Sequence, residues 1–359
     1  MWVRRSPRGH ERFFDGTELA DVRRFYEQAP ATPLHHLRAL AASIGIADVL
    51  VKDETARFDL PAFKILGVRY AVARLQRESA RGLTDLACAT AGNHGRAVAR
   101  VAKERGLSAH VYLPFGTSPA TIAALRADDA HVAVTTVGYD ETVRIMARDA
   151  ASEEWTIVSD TGWDGYTTIP RWIMTGYTEL MHEAANQWDF PPDLVVVQAG
   201  VGSLAGAVAG WLSDFAPAAP WHDDAPKARS RLVIVEPDGS ACVLASLRAG
   251  ARQTLESCAP TSMAGLRCAE VNPLGWQALA PVADAAVTVS DADAQQAIAR
   301  LGDPFGSDPV LPVGPSGGAG IAAVLSLASR PDLAPLREAL GWGPGTRVFV
   351  IATEGPSTR

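Results

Sequence analysis

Leu194-Val195-Val196-Val197-Gln198-Ala199-Gly200-Val201-Gly202-Ser203 decides how the rest of this chain is read. The β-branched run at 194–197 has the length of a buried strand, and Gly200-Val201-Gly202 after it has the composition of a turn. The Ala- and Gly-rich stretch that follows, to Leu212, suits a close-packed helix. Residues 194–212 carry no charge, and nineteen such residues come close to the length of a bilayer crossing. A strand run and a glycine turn inside that stretch speak against a spanning helix. Strand, turn and helix within a sheet explain it better.

Working outward, short apolar runs recur at 49–52, 86–90, 110–113, 132–136, 232–236 and 348–352. Between them lie amphipathic patterns such as 96–105, where Val98, Val101 and Ala102 share a face and Gly106 ends the helix. This alternation predicts an α/β fold with parallel sheets covered on both faces. The polar or Pro-rich patches at 217–229 and 302–315 read as long surface loops. In such sheets ligands bind beyond the carboxyl ends of strands. Three loops stand there: Ala91-Gly92-Asn93-His94-Gly95, Gly200-Val201-Gly202-Ser203 and Thr353-Glu354-Gly355.

Composition narrows the class. The chain has 359 residues, enough for two domains at about 150 residues each. With 47% hydrophobic and 20% charged residues it is globular, not disordered. A net charge of −7 and no basic run argue against nucleic acid as a partner. Cys88, Cys242, Cys258 and Cys268 show no metal-ligand spacing. The first residues, MWVRRSPRGHERFF, lack an apolar signal core, so a cytoplasmic location is expected.

Of 33 basic residues only Lys52, Lys64, Lys103 and Lys227 are lysines. Lys103 and Lys227 read as solvated charges, and Lys52, beside Asp53 and Glu54, as a structural ion pair. Lys64 differs, because Pro61-Ala62-Phe63-Lys64-Ile65-Leu66-Gly67 surrounds it with apolar neighbours. Burial disfavours a charged amine, and a neutral amine is what Schiff-base chemistry needs. A lysine that snorkels to water fits the local sequence as well. The loop at 200–206 can aim backbone amides at a phosphate from a helix N-terminus. It also fits simple close packing, or a dinucleotide fingerprint with Glu236 on a ribose. Glu236, however, lies 36 positions after Gly200, where about 20 is usual.

Taken together, Phe63-Lys64-Ile65-Leu66-Gly67, Thr90-Ala91-Gly92-Asn93-His94-Gly95-Arg96 and the glycine loop resemble the fold-type II pyridoxal-phosphate enzymes of the tryptophan synthase β-subunit superfamily. Further segments resemble its diaminopropionate ammonia-lyase subfamily. They are Val51-Lys52-Asp53-Glu54, Asp160-Thr161, Gly165-Tyr166-Thr167, Trp172-Ile173-Met174, Met263-Ala264-Gly265-Leu266, Asn272-Pro273-Leu274-Gly275-Trp276 and Thr353-Glu354-Gly355. The resemblance runs from about residue 33 to the end.

The resemblance implies a large cofactor-binding domain at 1–83 and 165–359, with a smaller, mobile domain at 84–164. Lys64 would carry pyridoxal 5′-phosphate as a Schiff base. Asn93 would bond its 3′ oxygen, Gly200, Val201, Gly202, Ser203 and Leu204 its phosphate, and Thr353 would face its pyridine nitrogen. Thr90, Ala91, His94 and Asp160 would meet a small amino-acid substrate, with Lys64 as base and Asp160 as donor to a leaving β-amino group. A homodimer is implied as well. By the same resemblance a family disulfide is possible at Cys242 and Cys268, and in a reducing cytoplasm two thiols are expected.

Two departures stand out. Where the subfamily has Asp before Gly-Asn-His, this chain has Ala91, which looks like the threonine dehydratase branch. Arg69, close to Lys64 in sequence, either meets a substrate carboxylate or stands in solvent. The expected activity is α,β-elimination from a substrate such as L-2,3-diaminopropionate. The alternatives are a hydroxyamino-acid dehydratase, a β-replacement synthase, a nicotinamide-dependent oxidoreductase, or a protein that binds the cofactor without turnover.

Overall fold

The computed structural model describes residues 1–4, 12–79, 82–90, 92–214, 230–304 and 306–356. Strands β1 (Trp2–Arg4), β2 (Leu34–His36), β3 (Asp48–Asp53), β8 (Leu194–Gln198), β9 (Arg231–Pro237), β10 (Ala283–Val289) and β11 (Arg347–Ala352) form one sheet, in the order β1-β10-β9-β8-β11-β3-β2. Strands β4 (Asp85–Ala89), β5 (Ser108–Leu113), β6 (His131–Val134) and β7 (Thr156–Ile157) form a second, ordered β6-β5-β4-β7. All pairings are parallel except the two edges of the larger sheet, where β1 and β2 run antiparallel.

The expected α/β architecture is present, and its reason is visible in burial. All five residues of β8 are buried, as a parallel strand covered by helices on both faces requires. After it the chain turns through Gly202 at φ +86° into the helix Ser203–Asp214, so the uncharged stretch is strand, turn and helix. No helix among the described residues is long and apolar enough to cross a membrane. The helix Asn93–Arg105 buries Val98, Val101 and Ala102 and closes on Gly106 in the left-handed region.

Other details differ from expectation. β1, β2, β7 and β10 escape the reading of apolar runs; the first three are two or three residues long, and β10 opens on Ala-Asp-Ala-Ala. The patch at 302–315 is not wholly surface: Leu311 and Val313 are buried, and the Asp308 carboxylate accepts from the amides of Ala39 and Leu40. The patch at 217–229 lies outside the described residues, as does Lys227.

Candidate active site

The three strand-end loops and the lysine segment meet in one cleft. The Phe63 amide donates to the Thr353 carbonyl, Ala62 bridges Glu354, and the Gly355 amide donates to the Pro61 carbonyl. The segment carrying Lys64 is thereby fixed to the end of β11. Lys64 then caps the helix Ile65–Glu78, whose apolar residues Ile65, Leu66 and Val68 go into the core and leave the amine in the cleft.

The amine is not apolar in its surroundings, as the local sequence suggests. Its Nζ forms an ion pair with the Asp160 carboxylate, and it stands over the Phe63 and Tyr177 rings. Lys52 is the more deeply buried lysine, at 0% exposure. Its ion pair is with Glu183 at 2.7 Å, not with its neighbours Asp53 and Glu54. Lys103 pairs with Asp129 at the surface.

Asp160 is pinned from both sides of its backbone. Its carbonyl accepts from Ser203 Oγ at 2.6 Å and from Asn272 Nδ2 at 3.2 Å. Burial opposes its ionisation, but the adjacent Lys64 ammonium outweighs burial and holds the carboxyl well below the usual carboxylate range. His94 lies 3.9 Å away through Nδ1 and contacts the Val158 carbonyl through Nε2 at 2.8 Å. A carbonyl only accepts, so Nε2 carries the hydrogen and Nδ1 is a bare lone pair. Burial keeps this imidazole neutral by lowering its pKa.

Among the described residues, no backbone hydrogen bond is made by the amides of Gly200, Val201, Gly202, Ser203 or Leu204. Five donors at a helix N-terminus form an anion cradle. A Cβ on Gly200 would stand 2.8 Å from the Gly265 carbonyl oxygen and 3.1 Å from Cys268 Sγ, so only glycine fits. The Asn93 and His94 amides, at the start of their own helix, are also without backbone partners among the described residues. Thr90 is buried and accepts from the Gly92 amide at 3.1 Å. Ala91 lies outside the described residues.

Several residues given no role by sequence reasoning prove central. Glu354 accepts from Asn93 Nδ2 at 2.7 Å and from the Ser316 amide at 3.0 Å. Asn272 caps the helix Pro273–Leu279 while tying Ser203 to Asp160, and its Asn-Pro pair was a readable signal for a helix start. Gln198 donates to Thr353 Oγ1 at 2.9 Å.

Other residues are placed elsewhere. Glu236 does not await a ribose: its carboxylate accepts the Val243 and Leu244 amides at 2.8 and 2.7 Å, capping a helix in the interior. The nicotinamide reading loses its acidic anchor. Arg69 pairs with Glu104 at the partly exposed helix surface and stacks on Phe58 at 4.0 Å, which fits the solvent-side reading and engages its guanidinium away from a substrate carboxylate. Cys242 and Cys268 are thiols, and burial pushes Cys268 up to about 12.

An amine, an open amide cradle and a hydroxyl, all in one cleft, fit an aldehyde-bearing heteroaromatic phosphate. The chain belongs to the pyridoxal-phosphate-dependent enzymes, whose family model matches residues 27–340. It is 36% identical to the diaminopropionate ammonia-lyase of Escherichia coli K12, over 95% of this chain and 89% of that protein. It is 31% identical to that of Salmonella typhimurium LT2, over 94% and 89%. It superposes with a TM-score of 0.88 on the Escherichia coli enzyme in complex with an aminoacrylate-pyridoxal-phosphate azomethine reaction intermediate, at 35% identity, covering 99% of this chain and 93% of that one. Its fold is therefore that of the fold-type II enzymes.

Proposed function

We propose that this chain is an ammonia-lyase that eliminates the β-amino group of L-2,3-diaminopropionate, or a close relative, to give pyruvate and ammonia. The observation that carries the reading is the Asp160 carboxylate, held ionised beside Lys64 at the centre of the cleft. Pyridoxal phosphate, when bound, withdraws electrons from the substrate Cα and makes its proton acidic. Lys64 would hold it, the amides of Gly200–Leu204 would take its phosphate, and Asn93 and Thr353 would meet its ring substituents. Once released, the Lys64 amine takes the α-proton. Thr90 and the free amides at the start of the helix Asn93–Arg105 suit the substrate carboxylate, whereas the His94 ring, its one N–H given to Val158, has no donor left for it.

The electrostatics revise one expected role. Paired with an ammonium the Asp160 carboxyl is an anion, and a substrate β-ammonium standing in place of the Lys64 ammonium would keep it one. Asp160 therefore acts as an anionic clamp for the substrate β-ammonium, which carries its own proton and departs as ammonia.

Asp160→Asn tests this. The uncharged side chain should lower kcat/KM for L-2,3-diaminopropionate by about 10²-fold or more, and for L-serine, whose β-hydroxyl is neutral, far less. Equal losses on both, or inertness of the unmodified enzyme toward diaminopropionate, would favour the dehydratase reading that Ala91 keeps open.

The division of strands between two sheets supports a large domain at 1–83 and 165–359 and a small mobile one at 84–164. A cytoplasmic homodimer is part of the same reading, supported by the subfamily resemblance and by the free thiols. Light scattering on the purified protein tests the dimer.

A further inference from the structure

Gln198 ends β8 with its side chain fully packed beneath the cleft. Its Nε2 lies 2.9 Å from the Ser316 carbonyl oxygen, 3.0 Å from that of Ile351, 3.5 Å from that of Gly317 and 2.9 Å from Thr353 Oγ1. Three of these four oxygens can only accept, so the amide cannot be turned over: its oxygen would face three carbonyls. The amide oxygen is buried with no hydrogen-bond partner, an arrangement that packing alone does not favour.

With two hydrogens for four oxygens and no lone pair, Nε2 cannot accept from Thr353 Oγ1, so in this 2.9 Å contact the hydroxyl accepts and its single proton points elsewhere. Among the described residues no acceptor for that proton is found. Without the amide, the Thr353 hydroxyl would be free to donate toward the carbonyls that Gln198 now occupies.

We propose that Gln198 is a positioning residue that sets the polarity of the Thr353 hydroxyl, fixing it as a donor into the cleft, toward the pyridine nitrogen of the cofactor. This rests on the reading in which Thr353 faces that nitrogen. A hydrogen bond so directed leaves the ring nitrogen an acceptor, with electron demand between that of a free pyridine and a pyridinium. Elimination of a good leaving group needs no more.

The test uses the holoenzyme reconstituted with pyridoxal phosphate labelled with ¹⁵N in the ring, with folding checked by circular dichroism. Thr353→Val removes the donor and should move the ring ¹⁵N resonance downfield, toward a pyridine without a hydrogen bond. Gln198→Leu should reproduce that displacement and weaken cofactor affinity about tenfold. The double variant should add nothing further. If Thr353→Val moves the resonance and Gln198→Leu does not, Gln198 has no such role and the placement of Thr353 stands. If neither moves it, Thr353 does not face the nitrogen and both ideas fall. Should Gln198→Leu not fold, Gln198→Asn, whose amide falls one methylene short of Thr353, is read by the same criterion.

Discussion

Asn93 donates from Nδ2 to Glu354 Oε2 at 2.7 Å, joining the first turn of a helix on the four-stranded sheet to the end of the last strand of the seven-stranded one. The bond uses one of the two amide hydrogens and fixes the direction of the other. Glu354→Ala should free the Asn93 amide to rotate and weaken cofactor affinity about tenfold, measured by titrating the apoprotein with pyridoxal phosphate. Unchanged affinity would mean that Asn93 is oriented by something else.

Lys64 and Lys52 make opposing predictions for labelling. Borohydride reduction and peptide mapping should place the pyridoxyl group on Lys64. Lys52, shut in beside Glu183 and donating to the Thr32 carbonyl, should stay unlabelled. Lys64→Ala should abolish labelling and lower turnover by at least about 10²–10⁴-fold. A label on Lys52 would overturn the assignment.

Gly202 sits at φ +86°, where a β-branched residue is strained, and the Val271 side chain lies 3.4 Å from where a Cβ would stand. Gly202→Val should tilt the amides of the cradle and weaken cofactor binding more than it lowers the melting temperature of the apoprotein. Equal affinity in a folded variant would return the glycines to a packing role.

Glu179 is buried with Oε2 lacking a partner, and burial together with the Glu183 charge pushes its pKa up to about 8. The folded-state value lies above the ordinary 4.5, so the folded form holds a proton that the unfolded chain gives up. The resulting stability is fully present below pH 4.5 and is lost as pH rises toward 8. Glu179→Gln should remove a slope of up to about 1.4 kcal/mol per pH unit in that window. Its melting temperature should exceed that of the unmodified protein at pH 8 and match it near pH 5, both read by calorimetry. A constant difference at all pH values would mean that Glu179 is ionised in the fold.

Ala91 predicts isomer preference. By the subfamily resemblance Lys64 would serve one isomer only, and the aspartate associated with the opposite isomer is replaced in this sequence by Ala91. Turnover should favour L- over D-2,3-diaminopropionate by about 10²–10⁴-fold, and Ala91→Asp should raise activity on the D-isomer. Comparable kcat/KM for both isomers in the unmodified enzyme would sink the idea.

β8 and β11 were legible because they are rich in β-branched residues and are followed by glycine or small polar residues, whereas β7, which leads to Asp160, is only two residues long. β1 and β2 were not, since three residues show no period. Lys64 stood out by scarcity and by its motif, yet its carboxylate partner lies 96 positions away, a distance over which local pattern carries nothing. Gln198 and Glu354 were quoted within their motifs and given no task. Their importance comes from which oxygens surround them, and only the folded backbone supplies those oxygens.

The attachment of Asp160 puts one residue of the site at the seam between the two sheets. Val158 belongs to the small sheet, where its amide donates to the Ala87 carbonyl. Two residues later the Asp160 carbonyl is tied to Ser203 and Asn272. The end of the small sheet thus hangs on the loops that follow the large one. His94 is bonded to Val158 on one side of the seam, and Asp160 pairs with Lys64 on the other. Any change in the spacing of the two sheets would therefore pass through Asp160 and be felt at the lysine amine.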